Sequence, residues 1–464
     1  MGNLNVLICI FEKIQIVNYK YFIPIKNSIT LLFLMHSFTS CTSYDNSDII
    51  VETPVQIDTT NQTGEENNFT PIGTIEILNI DKIDNNFILV NDAGANRVYI
   101  MNKHAKLLYE WSFSNNIGND VYLLSNGNLL ASLEADEPKI PLGGKGGKIQ
   151  IIEPDNTTIW EFIYSSEGGE THHDVQMLPN GNIIAMVWER INSAIAISEG
   201  FMLEEDIYPE SIIEINTSTN EIVWEWNSMD HIIQDYDQTK ANYGVISENP
   251  NLINLNYTPQ NEILPGVKGD IMHANAIAYD KVNDVIFLSI NAYSEVWVID
   301  HSTTTEEARV HSGGNYGKGG DLIYRFGNPN TYQNPKGTRL FHNNHFPNLL
   351  EDNNQGKLLI FSNGNDIKQS TVYELELPST YSLQTNFNNE PTVTWSFTDP
   401  NLYSGKVSGA VPLENGNILI TEGDFGFWEV TRENEVVWKF NTEGFFWRGY
   451  SYSKNSPEIK LLGL

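Results

Sequence analysis

From about residue 75 to the C-terminus, two patterns of apolar and polar residues take turns along the chain. The first is a turn pair followed by an alternating or fully apolar run. It appears as DNNFILVND from 84, SNGNLLASL from 125, PNGNIIAMVW from 179, VNDVIFLSI from 282, NQGKLLIFS from 354 and ENGNILITE from 414. Asn-Gly and Asp-Asn supply the positive-φ positions of tight hairpin turns, and the run after each has the two-residue period of a strand. The second pattern is an apolar pair, then an aromatic, one polar residue and another aromatic. Its copies are LYEWSF at 108, TIWEFI at 158, IVWEWN at 222, LIYRFGN at 322, TVTWSF at 392 and VVWKFN at 436. Each unit therefore reads as four short strands. Six such units predict an all-β chain folded as a six-bladed β-propeller over residues 71–464. The aromatic pairs are expected to pack blade against blade. Helical periodicity is not sustained anywhere, which argues against α/β folds. The largest insertion, between Asn227 and Asp270, is expected to form loops on one face.

Aligning the units on the turn brings out a second regularity. His173 lies seven residues before Asn180, His273 seven before Asp280, and His345 seven before Asp352. Units two and six carry Asn119 and Ser408 at that step. In a propeller the first strand of every blade lines the central channel, so equivalent positions converge on the axis. Three imidazoles are thus expected at one mouth of the channel. Such a cluster suits nucleophilic or acid–base work on an anion. It also suits zinc, but no in-register carboxylate joins it.

Composition narrows the partners. The net charge of −32 comes with no basic stripe, which excludes nucleic acid as a partner. The only cysteines, Cys9 and Cys41, precede the repeats, so the propeller has no disulfide and no thiolate metal site. Lys20 and Lys26 precede the apolar run ITLLFLM, and FTSC ends in Cys41. Residues 1–41 are therefore read as a signal peptide of lipoprotein type, with lipidation at Cys41. Residues 42–70 are read as a polar tether. The protein is expected in the cell envelope, periplasmic or anchored to the outer membrane, touching a membrane only through that lipid.

The motifs HHDVQMLPNGNIIAMVWE, LSINAYSEVWVIDHSTTT, HSGGNYGKGGDLIYRFGNP, LFHNNHFPNLL and SGAVPLENGNILITEGDFGFWEVT resemble the bacterial PAPS-independent arylsulfotransferases, from about residue 75 to the end. The resemblance implies a six-bladed propeller enzyme without a cofactor. It would move a sulfuryl group from an aryl sulfate to a phenol through a sulfohistidine. By motif, His345 is the expected nucleophile, with His342 as competitor, and His173 and His273 hold sulfate oxygens or transfer a proton. His172 and Asn291 are the expected substrate contacts. Asn291 stands where the family carries a sulfate-gripping arginine. Its loss would cost ~100-fold, from ~3 kcal/mol of barrier, unless Arg325, Arg339 or a lysine substitutes. For Arg325, in the closing motif, a structural ion pair is the expected role.

Two other readings stay open on sequence. One is a non-catalytic ligand-binding propeller; the other is a metal-dependent hydrolase or lyase using the histidines as ligands. The Gly-rich HSGGNYGKGGD offers an anion nest, and Asp321, Glu422 and Asp424 offer oxygen ligands for Ca²⁺.

Overall fold

A computed structural model describes residues 69–261, 269–351 and 356–464. The leader, Cys41 and the tether up to residue 68 lie outside them. Six antiparallel sheets form the six blades; five of the aromatic closing motifs are outermost strands, and VVWKFN in blade six is the fourth strand from the centre. The innermost strands are Ile117–Leu123, Gly169–Met177, Ala274–Asp280, Asn344–Leu349 and Gly409–Pro412 for blades two to six. These strands touch in sequence order, and Phe446–Tyr452 closes the ring between the last and the first.

Blade one departs from the expected unit. Residues 87–112 supply only three of its strands, Phe87–Asp92, Arg97–Met101 and Leu107–Ser112. The innermost is Phe446–Tyr452, from the far end of the chain, paired antiparallel with Phe87–Asp92. A fifth strand, Thr74–Leu78, covers the outer edge of blade six. Closure thus joins the two ends of the repeat and gives Phe87–Asp92 a partner on its inner side, so that blade one does not present a second unpaired edge.

The apolar runs are buried on both faces because each blade lies between two others. Ile183, Ala185 and Val187 pack against blade two, while Ile184 and Met186 pack against blade four. Period-two geometry sends alternate residues to opposite faces, so a strand inside the ring reads as continuously hydrophobic. The aromatic pairs bridge blades, as expected. Trp160, Trp226, Trp395 and Trp438 donate their indole N–H to Asn220, Gly320, Arg432 and Lys103 of the following blade.

The insertion between blades three and four carries a short 3-10 turn, Ser228–His231, and a two-residue parallel pairing of Ile232–Ile233 with Ile253–Asn254. Its Ile232, Ile253, Leu255 and Tyr257 join the core between those blades.

Candidate active site

Five of the six inner strands break their ladder at the same end of the channel. The register shifts fall between Ile117 and Val121, at His173–Asp174, at Asn275, at Phe346–Pro347, and at Trp447–Arg448 opposite Asn91. A bulge re-aims side chains that a regular ladder would send sideways. His173 and His273 take φ of 49° and 53°, a left-handed conformation costly for residues with a Cβ. Gly144, at φ 88°, makes room for His173, since a Cβ there would stand 2.0 Å from the ring's Cε1.

These kinks bring the three register histidines together. His173 and His273 meet edge to face with ring centroids 5.1 Å apart. His173 and His345 line one narrow cavity with Asn119, Asp120, Asn275, Val407, Ser408, Trp447 and Arg448. Its volume of about 10 Å³ is on the scale of a single water. A larger opening of about 630 Å³ lies toward the other end of the inner strands, between Tyr122, Gln176, Tyr279, Asn348 and Tyr450. Asp120 and Arg448 border both.

Hydrogen bonding fixes the state of His345. Asn363 donates both amide hydrogens to backbone carbonyls, Ser404 O at 2.9 Å and Val407 O at 3.1 Å. Its Oδ1 must therefore face His345, and His345 Nδ1–H donates to it at 2.6 Å. The lone pair is left on Nε2. Burial pulls the ring's pKa down to about 3, with the Asn363 bond opposing and the charges of His273 and Arg448 adding to the fall. His345 is a neutral imidazole.

His273 has the opposite bias. Burial lowers its pKa, but the Asp270 carboxylate, 2.6 Å from Nδ1, and Glu210 outweigh burial and raise it. One neutral and one cation-prone imidazole at a single site is the division that acid–base work needs.

His172 lies behind His173 and outside the cavity lining, stacked on Trp188 at 3.9 Å. Its Nε2 meets Glu210 at 2.8 Å and its Nδ1 meets His173 Nδ1 at 2.9 Å. Burial keeps both rings well below the ordinary histidine pKa and holds Glu210 well above the carboxylate range. The line Glu210–His172–His173 can thus hand one proton to or from the cavity.

Asn291 holds protein rather than open space. Its Nδ2 donates to Asn344 O and its Oδ1 accepts from Asn343 Nδ2, which seats the residues before His345. His342 stands outside the cavity lining, its Nδ1 paired with Asp366 near the surface. Arg325 is buried against Glu295 in the outer strand of blade four, as a structural ion pair. Arg339 is bound to Phe341 O and Ser294 Oγ.

The cation at the site is Arg448, which sequence reasoning missed. By cross-strand partner, Tyr452 stands opposite Phe87 as Met177 stands opposite Ile183. Arg448, four residues before Tyr452, is then the blade-one counterpart of His173, four before Met177. A count around the ring would have found it: five register positions were filled, and blade one lacked its own. Arg448 donates to Asp174 at 2.9 Å and to Asn275 O at 3.2 Å, forms an ion pair with Asp120 at 3.0 Å, and lies over Phe346.

The acidic trio entertained for Ca²⁺ is dispersed. Glu422 accepts from Trp428 Nε1, Asp424 faces Lys406, and Asp321 bonds to two histidines. The Gly-rich nest is filled from within, because the N–H of Tyr316 donates to Asp300 and that of Asn315 to Ser302.

Fold and site together define a six-bladed propeller with a buried imidazole cluster and a guanidinium at the channel mouth. Residues 74–445 match the arylsulfotransferase (ASST) family, and the chain belongs to it. The general activity of that family is aryl sulfotransfer. No curated protein matches the chain. Among solved structures, a protein of unknown function from Bacteroides caccae is 15% identical, with TM-score 0.45, over 79% of this chain and 98% of its own. A putative 6-phosphogluconolactonase from Bacteroides fragilis is 13% identical, with TM-score 0.37, over 81% and 86%. Likenesses at that level say nothing of the reaction.

Proposed function

We propose that the protein moves a sulfuryl group from an aryl sulfate to a phenol through a sulfohistidine at His345. The observation that carries this reading is the clamp of Asn363 on His345 Nδ1–H, which leaves a neutral ring with its lone pair on Nε2. Nε2 attacks sulfur as the bond from sulfur to the aryl oxygen breaks. His273, held toward its charged form by Asp270, gives its proton to the departing oxygen. The positive charge gained by the His345 ring is offset by the attached sulfonate. In the second half the acceptor phenol returns a proton to His273, its oxygen takes the sulfuryl group, and His345 is regenerated. Protein chemistry here is mostly positioning and charge stabilisation.

Arg448 and His173 are the groups we assign to the sulfate oxygens, in the role first expected of Asn291. A sulfuryl group exceeds a cavity of about 10 Å³, so donor binding must spread the rim, where His273 is the partly exposed imidazole.

The test is release of nitrophenolate from 4-nitrophenyl sulfate, with and without a second phenol. Acceptor-dependent release and one SO₃ unit on the His345 peptide are expected. Modification of His342 instead would overturn the assignment. No release from folded protein with several donors would leave a ligand-binding propeller. We further propose export as a lipoprotein, supported by the ITLLFLM…FTSC leader. Cys41→Ala should then abolish lipid labelling, and retained label would refute it.

A further inference from the structure

The insertion after blade three and the Gly-rich loop of blade four contribute nothing to the chemistry above, yet they meet at one point. His231, in the 3-10 turn of the insertion, is fully buried. Its Nε2–H donates to Ala308 O at 2.8 Å, which leaves the lone pair on Nδ1. That lone pair faces Asp321 Oδ1, itself an acceptor, at 2.8 Å. His311 Nδ1 stands 2.7 Å from the same oxygen. Two acceptors at that distance need a cation or a proton between them.

The surroundings are built to hold this arrangement. Trp226 lies parallel to His231, 6° between planes, and its indole donates to Gly320 O. A Cβ on Gly320 would stand 2.0 Å from Ala308 O and 2.3 Å from His231 Nε2, so only glycine lets the loop pass. An imidazole whose second N–H is fixed by a backbone carbonyl is the outer-shell arrangement of metal-binding histidines.

The geometry points to a site for a divalent transition metal of the zinc class, bound by His231 Nδ1, Asp321 and His311. The three ligand atoms lie within 4.8 Å of one another. Two imidazoles and one carboxylate suit zinc and disfavour Ca²⁺ or Mg²⁺, which take oxygen ligands. Tetrahedral bonds of ~2.0–2.2 Å set ligands ~3.4 Å apart, so the two contacts to Asp321 need to open by ~0.6–0.7 Å. Asp321 is nearly buried, whereas the His311 side chain is 63% exposed. The fourth position therefore faces solvent and takes water. The ion would fasten the insertion to blade four.

The test is calorimetric titration of chelator-treated full-length protein with Zn²⁺, together with thermal unfolding. One saturable equivalent is expected, with a melting temperature that rises on binding and falls again with EDTA. His311→Ala, an exposed position that folding tolerates, should weaken binding at least ~10-fold, the scale of losing even an outer-shell partner. Asp321→Asn should do likewise, and both variants should unfold cooperatively without metal. Absence of a saturable equivalent overturns the inference. So does an equivalent that survives in His311→Ala and Asp321→Asn but disappears in His345→Ala, which would place the metal in the channel.

Discussion

Asn363→Ala tests the source of His345's reactivity. The side chain does two things that can be separated. Toward the ring it supplies the sole acceptor for Nδ1–H, at 2.6 Å. Toward the backbone it satisfies Ser404 O and Val407 O. Removing the acceptor frees His345 to place its proton on either nitrogen, and the form with Nε2–H cannot attack. A buried hydrogen bond of this kind is worth ~1–3 kcal/mol, so turnover should fall ~5- to 150-fold. The orphaned carbonyls cost stability separately, ~1–3 kcal/mol each at most, a shift of several degrees in melting temperature. Steady-state kinetics on 4-nitrophenyl sulfate should show the loss in kcat with little change in KM, since Asn363 lies behind the ring. Nitrogen chemical shifts of the His345 side chain should show the tautomer change directly. If His345→Ala abolishes transfer while Asn363→Ala keeps kcat within about threefold, tautomer control is not what activates His345.

Other outcomes follow from the same contacts. Arg448→Ala leaves Asp120 and Asp174 buried without their cation, at ~3–5 kcal/mol, so a strongly lowered denaturation midpoint is expected. A midpoint unchanged from wild type would refute the pairing. Gly144→Ala should cut kcat at least ~10-fold while the protein stays folded by circular dichroism, because the added methyl meets the His173 ring. Full activity would show that His173 need not be held where it is. Between blades three and four, burial lowers the pKa of His301, but hydrogen bonds to Glu214 and Asp284 outweigh it and raise the pKa. A raised value means stability present below the ordinary histidine pKa and lost as pH climbs through the higher one. Melting temperatures from about pH 5 to about pH 9 should therefore fall more steeply for wild type than for His301→Gln, and parallel curves would refute the linkage.

The repeats were legible because turn and closing motifs recur with local signals: Asn-Gly sets a hairpin and W-x-W sets an outer strand. The register of His173, His273 and His345 was legible for the same reason, being a count from the turn. What escaped was non-local. FWRGYSY follows no hairpin turn of its own unit and finds its partner more than 300 residues away, so neither the strand nor Arg448 announced itself. Glu210 and Asn363, which set the states of His172 and His345, belong to neighbouring strands or to the loop after one. Nor does the family's residue at that place account for Asn291, whose amide is spent on the chain before His345.

Closure of blade one by Phe446–Tyr452 also has a consequence for biosynthesis. That strand leaves the ribosome after every other inner strand, and it carries the guanidinium of the site. A chain that stalls short of it can stack five blades and most of a sixth, yet holds Asp120 and Asp174 facing an empty seat. Pairing across so long a loop is also the slowest kind of contact to form. On the proposed mechanism, competence for chemistry and completion of the ring therefore arrive in a single late event, so a truncated product is both poorly sealed and inert.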